Sequence, residues 1–150
     1  MDFTLLDIVE LIFWNILEWD QGGLVIFAGH AWVKAGIEFH ECRSIASSVS
    51  ASSNGADWSM VNLLQGQDDL RVRLGKDGTT LKVLFEDNQG EWKKLREVNW
   101  FFFGVEEKSI KVGVYASRPA TFGYPQVVVS PTVPRQVDNL VVEFNDFEIC

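Results

Sequence analysis

The sequence predicts an all-β protein, an antiparallel sandwich or barrel, and three observations carry that prediction. Residues Trp32–Phe39 alternate without a break. Val33, Ala35, Ile37 and Phe39 fall on one side of a strand, and Trp32, Lys34, Gly36 and Glu38 on the other. Asn54-Gly55 and Asp77-Gly78 are strong two-residue hairpin signals. From Asp20 onward, short apolar runs recur between Gly/Asn/Asp turns with no helix-period segment between them. A chain of 150 residues is long enough for one core and is read as one domain.

Residues 4–18 are the ambiguous piece. At helical spacing Thr4, Asp7, Glu10, Asn15 and Glu18 gather on one arc, which favours a short amphipathic N-terminal helix. Ile8, Val9, Ile12, Phe13 and Trp14 suit a strand as the alternative. After Gly22-Gly23 the expected strands are Leu24–Ala28, Trp32–Phe39, Ile45–Ala51 and Trp58–Leu64. Then come Leu70–Leu74, with Arg71 and Arg73 outward, Leu81–Glu86 and Trp92–Arg96. The apolar run 98–105 contains Trp100-Phe101-Phe102-Phe103 and leads through Glu106-Glu107-Lys108 into Ile110–Ser117. Residues 118–137 hold all four prolines and read as a long loop before a last strand, Leu140–Ile149. The expected core includes Val33, Ile37, Phe39, Val72, Val83, Phe85, Val112 and Val114. Trp58, Trp92 and Trp100 are expected in the core or between sheets.

A net charge of -8 argues against nucleic acid, whose phosphates need a basic face, and against an anionic membrane surface. Leu5–Trp19 is apolar, but Asp7, Glu10 and Glu18 interrupt it and no Lys or Arg precedes Lys34. A secretory signal or a membrane span is therefore not expected. Cys42 and Cys150 are the two cysteines, read as reduced thiols of a cytoplasmic protein.

Several segments in order then resemble a known family. They are Asp20-Gln21-Gly22-Gly23-Leu24, the Trp32–Glu38 stretch, Asp57-Trp58-Ser59, Leu70-Arg71-Val72-Arg73, Val112–Pro119 and Phe144-Asn145-Asp146-Phe147. Together they resemble the uncharacterised domain family that includes the fungal regulation-of-enolase proteins, within the concanavalin A-like lectin/glucanase superfamily. The resemblance covers about residues 19–150 and implies a jelly-roll sandwich of two antiparallel sheets. It implies no established reaction. The family carries more sequence upstream of the Asp20 motif, so residues 1–19 are read as a separate, shortened N-terminal segment and 20–150 as the jelly-roll domain.

A superfamily that contains glucanases calls for a search for paired acids two residues apart on one strand. Asp146 and Glu148 share a face, but Glu143 is offset by an odd number, so the triad fails and no catalytic residue is assigned. His30, His40 and Cys42 fall short of the three or four convergent ligands of a metal site, and Gln21-Gly22-Gly23 lacks the lysine and helix of a phosphate loop. No metal or cofactor is expected. The more informative set is Trp32, Lys34 and Glu38 on one strand face, Arg71 and Arg73 on another, and Lys111 and Tyr115 on a third. These suit a carbohydrate or sugar-phosphate ligand bound against a Trp platform. A cross-strand charge ladder that keeps the second face soluble is the competing reading of these residues, and the one their spacing favours. The favoured function is a non-catalytic binding or regulatory sandwich with a carbohydrate-like or protein partner. The alternative is a glycan-active enzyme.

Overall fold

A computed structural model describes residues 2–14, 18–118 and 141–145. Among the described residues, ten strands make two five-stranded antiparallel sheets. The front sheet has the order β5-β4-β3-β2-β9, with β2 Gln21–Ala28, β3 Ala31–His40, β4 Arg43–Ser52, β5 Gly55–Asn62 and β9 Ile110–Ser117. The back sheet has the order β10-β1-β6-β7-β8, with β1 Asp2–Trp14, β6 Asp69–Asp77, β7 Thr80–Glu86, β8 Trp92–Val98 and β10 Val141–Asn145. Among the described residues no helix is long and apolar enough to cross a membrane.

Both predicted hairpins form, each with its turn displaced by one residue from the Asn54-Gly55 and Asp77-Gly78 signals. Gly78 (φ 57°) turns β6 into β7, and the β4–β5 hairpin turns at Ser53-Asn54. Alternation then sorts each strand. On β6, Leu70, Val72 and Leu74 are buried while Arg71 and Arg73 are partly exposed. On β3, Val33, Ala35 and Ile37 face the back sheet with at most 1% exposure. Burying a side chain of this size is worth about 1.5–3 kcal/mol, so these rows hold the layers together.

Three expectations fail. The helix over residues 4–18 is a strand instead, since β1 runs Asp2–Trp14 and is hydrogen-bonded between β10 and β6. Its pairing with β6 shifts register between Thr4 and Leu6 and again between Leu6 and Val9. Two bulges break the two-residue period, so the segment looks aperiodic, and pairing on both sides overrides its weak helical pattern. In the expected core, Val114 is 44% exposed, while Phe39 and Val112 are only partly buried. Val112 and Val114 lie on β9, which ends the described front sheet, and Val112 still packs against the core. Finally, Trp58 and Trp100 are 45% and 46% exposed, and Trp92 lies on the outer side of the back sheet. The aromatic residues that do fill the core at this end are Phe101 and Phe102, which drop between the sheets from the turn after β8.

Candidate functional site

The register of the front sheet builds one polar row set on its outer side. Glu38 pairs with Gln21, Gly36 with Gly23, Lys34 with Val25 and Trp32 with Phe27. On the other flank of β2, Tyr115 pairs with Gly23 and Lys111 with Phe27. Paired residues of neighbouring strands share a face. Trp32, Lys34, Glu38, Lys111 and Tyr115 therefore lie on one surface, with the Gly36–Gly23 pair at its centre. A Cβ on Gly36 would collide with the Gly22 carbonyl oxygen, and one on Gly23 with that of Ala35. Only glycine permits this close approach of β2 and β3.

Around that pair the polar groups are tied to one another. Glu38 is 7% exposed and accepts the Ser47 hydroxyl proton at 2.6 Å. The Trp58 indole N–H donates to Ser47 Oγ at 2.9 Å, completing a chain Trp58–Ser47–Glu38. Lys34 Nζ donates to the side-chain oxygen of Gln21, and the Gln21 amide donates to the Trp19 carbonyl at 3.2 Å. The Lys34 ammonium also stands 5.5 Å above the Tyr115 ring. Burial lowers the Lys34 pKa, and the Glu38 carboxylate offsets part of that. Burial, with Glu38 adding to it, pushes the Tyr115 phenol well above its ordinary value.

At one end this surface opens into an aromatic group. The Trp19 indole stacks on His40 with ring centroids 4.4 Å apart, and Trp58 meets the His40 edge at 5.6 Å. Glu18 Oε1 lies 2.9 Å from His40 Nδ1 and accepts the Glu41 backbone N–H at 3.1 Å. Trp19, Glu41 and Cys42 all have positive φ (69°, 49° and 62°). For Glu41 and Cys42 this is the ordinary geometry of a two-residue hairpin turn, closing β3 onto β4 at the His40–Arg43 pair. The sequence reading missed Trp19, His40, Ser47 and Trp58 as a group. Their signal was weak, because they come from β3, β4, β5 and the segment before β2, and residue spacing does not relate strands to one another.

Arg71 and Arg73 are not part of this surface. They lie on β6 of the back sheet, on its outer side. Arg71 pairs with Glu86 at 2.5 Å, and the Arg73 guanidinium covers the Trp92 ring at 4.1 Å. Lys82 pairs with Asp77 at 2.6 Å on the same sheet. This arrangement is a cross-strand charge ladder, in which a partly exposed pair is worth at most about 1 kcal/mol. His30 is exposed in the β2–β3 turn, and Cys42 is an exposed free thiol. Glu143 is exposed on β10, while Asp146, Glu148 and Cys150 lie outside the described residues. Among the described residues no group of three or more His, Cys, Asp or Glu side chains is arranged to hold a metal ion.

Comparison with known proteins gives family and fold. A family model described as "Protein of unknown function (DUF1349)" matches residues 11–150. The uncharacterized protein AN7484 of Emericella nidulans is 34% identical over 125 residues, which is 74% of this chain and 58% of that protein. The chain thus spans little more than half the length of that curated relative. Among solved structures, a functionally unknown protein from Saccharomyces cerevisiae superposes with a TM-score of 0.62 at 20% identity, over 79% of this chain and 63% of that one. A mutant of the GH43 protein BlXynB from Bacillus licheniformis matches with a TM-score of 0.61 at 16% identity, over 74% of this chain and 23% of that one. At these identities the two structures share the β-sandwich fold.

Proposed function

The chain belongs to the DUF1349 family, and we propose that it is a non-catalytic, cytoplasmic binding module that takes a carbohydrate or sugar-like ligand on the outer side of its front sheet. The observation that carries this reading is the Trp58 indole. It is 45% exposed, yet its N–H is fixed through Ser47 to the buried Glu38 carboxylate. A flat apolar ring held in one orientation at the surface suits the C–H face of a sugar ring. Trp19 and His40 beside it supply a second ring pair, and fixing them in advance lowers the entropy lost on binding. A neutral sugar fits better than a sugar phosphate, because Arg71 and Arg73 stand on the opposite sheet and Lys34 is engaged with Gln21. Glu38 accepts from Ser47 and orders the platform, a positioning role that favours binding over glycoside cleavage.

Affinity gel electrophoresis in soluble xylan, β-glucan and starch tests this reading. The parent should be retarded by at least one polysaccharide, and Trp58→Ala should migrate freely while keeping its circular dichroism. Glu38→Gln should weaken retardation less than Trp58→Ala does. Equal retardation of the parent and Trp58→Ala would remove the front sheet as the site.

A further inference from the structure

We propose that the cleft between the β4–β5 hairpin and the loop 99–104 is a second saccharide-binding site, separate from the Trp58 platform. The cleft has a volume of about 850 Å³ and is lined on one side by Ser52, Asn54 and Asp57 and on the other by Trp100 and Phe103. That volume falls within the range of roughly 300–1,000 Å³ typical of small-molecule sites.

The aromatic wall is rigid. Phe101 and Phe102 are 1% and 6% exposed and anchor the loop in the core, with their rings edge to face at 5.0 Å. The Phe102 N–H donates to the Thr79 carbonyl at 3.0 Å, the Thr79 hydroxyl to the Asn99 carbonyl at 3.0 Å, and the Phe103 N–H to the Trp100 carbonyl at 3.1 Å. With its two middle residues anchored inward, the loop presents Trp100 and Phe103 outward, at 46% and 79% exposure. A phenylalanine this exposed on a fixed turn is an apolar surface without cover.

The inner wall supplies donors. Arg96 projects from β8 beside a bulge at Leu95, and its guanidinium donates to Ser50 Oγ at 2.5 Å and to Ser59 Oγ at 2.5 and 2.9 Å. Among the described residues no carboxylate forms an ion pair with it. Because Arg96 occupies the acceptor side of the Ser50 hydroxyl, the Ser50 proton is left to donate, and Ser50 lines the cleft. Asp57, opposite Ser50 in the β4–β5 ladder, is exposed and offers carboxylate oxygens as acceptors. Aromatic faces on one side, with a hydroxyl donor and a carboxylate acceptor on the other, match the alternating C–H faces and hydroxyls of a neutral saccharide. Alternation on β5 keeps the two sites apart, since Asp57 faces the cleft and Trp58 faces the front surface.

The test is a two-dimensional amide and indole NMR titration with cellotriose, xylotriose and maltotriose at about 10 mM, enough to load a site with a Kd of about 1 mM. At least one probe should shift the Trp100 indole and the Asn54 side-chain amide. Those shifts should persist in Trp58→Ala, and a Trp100→Ala/Phe103→Ala variant should weaken the response at Asn54 by about tenfold or more. Both substituted residues are exposed, and Trp100→Ala alone serves if the double variant does not fold. Movement at Trp100 with none at Trp58 would leave the cleft standing and remove the front-face site. The proposal is overturned if no probe moves Trp100 or Asn54, or if the response at Asn54 is unchanged in the variants.

Discussion

Replacing Arg118 by Ala should cost more stability than any surface substitution in this chain. Arg118 follows the last residue of β9 and Asp20 precedes the first residue of β2, next to the Gln21–Ser117 ladder pair. The guanidinium grips the carboxylate at two points, Nε to Oδ1 at 2.9 Å and Nη2 to Oδ2 at 2.7 Å. The Asp20 side chain is fully buried, and that of Arg118 is 10% exposed. The hydrogen bonds that Arg118 donates to the Asp20 carboxylate raise the Arg118 pKa, so the guanidinium stays charged. Removing the arginine takes two charge-assisted hydrogen bonds from a fully buried carboxylate, a defect of about 3–5 kcal/mol. At about 2–4 °C per kcal/mol for a domain of this length, the melting temperature should fall by roughly 6–20 °C. Arg118→Lys keeps the charge and loses the two-point grip, so it should fall between. Asp20→Asn combined with Arg118→Met removes both charges and should cost less than Arg118→Ala. Differential scanning calorimetry gives the comparison. An Arg118→Ala melting temperature within about 2 °C of the parent would show that Asp20 has other compensation and refute the argument.

Two further outcomes follow from the front sheet. Gly36→Ala meets the backbone of Gly22, which cannot swing aside, and should lower stability by at least about 1–3 kcal/mol; Gly113→Ala has no atom within 4 Å of the added methyl and should be near neutral, as urea midpoints would show. Tyr115 holds its proton more tightly folded than unfolded, so its contribution is complete below pH 10.0 and is lost as pH rises beyond it. Lys34, with a lowered pKa, acts in the opposite sense and adds stability as pH rises toward 10.5. Tyr115→Phe should therefore flatten the alkaline loss of stability measured between pH 9 and 11; an unchanged slope would show that the phenol is not the group responsible.

Much of the fold was legible because turn chemistry and two-residue alternation are local properties. Asp77-Gly78 and the Leu70–Val72–Leu74 row each announce their role within a few residues. The N-terminal strand was not legible, because two register shifts in its pairing with β6 erase the alternation that would identify it. The candidate site was half legible for a related reason. Alternation places Lys34 beside Glu38 and Arg71 beside Arg73, but says nothing about which sheet a strand joins. The chain crosses from the front sheet to the back between β5 and β6, which separates the arginines from the lysine and glutamate by the thickness of the sandwich. Exposure of Trp58 and Trp100 was also hidden, because a large indole reads as core until the opposite layer is known.

The character of β5 argues that these exposed rings serve recognition. It is an edge strand of the front sheet, and almost every residue in it is exposed, so the core does not require its apolar side chains. Yet it carries Trp58, Met60 and Val61 at 45%, 45% and 39% exposure, and neither Lys nor Pro to discourage pairing with another chain. An apolar edge without such protection is an aggregation hazard. Asp57 and Ser59 alternate with Trp58 and Met60 and, with Val61, face inward, where Ser59 binds Arg96 of the opposite sheet. Both sides of one edge strand are thus specified by groups that the core does not need: an anchored indole outside, and a carboxylate and hydroxyls within. The two proposed ligand sites would account for that expense where packing does not, and both draw on Asp57-Trp58-Ser59.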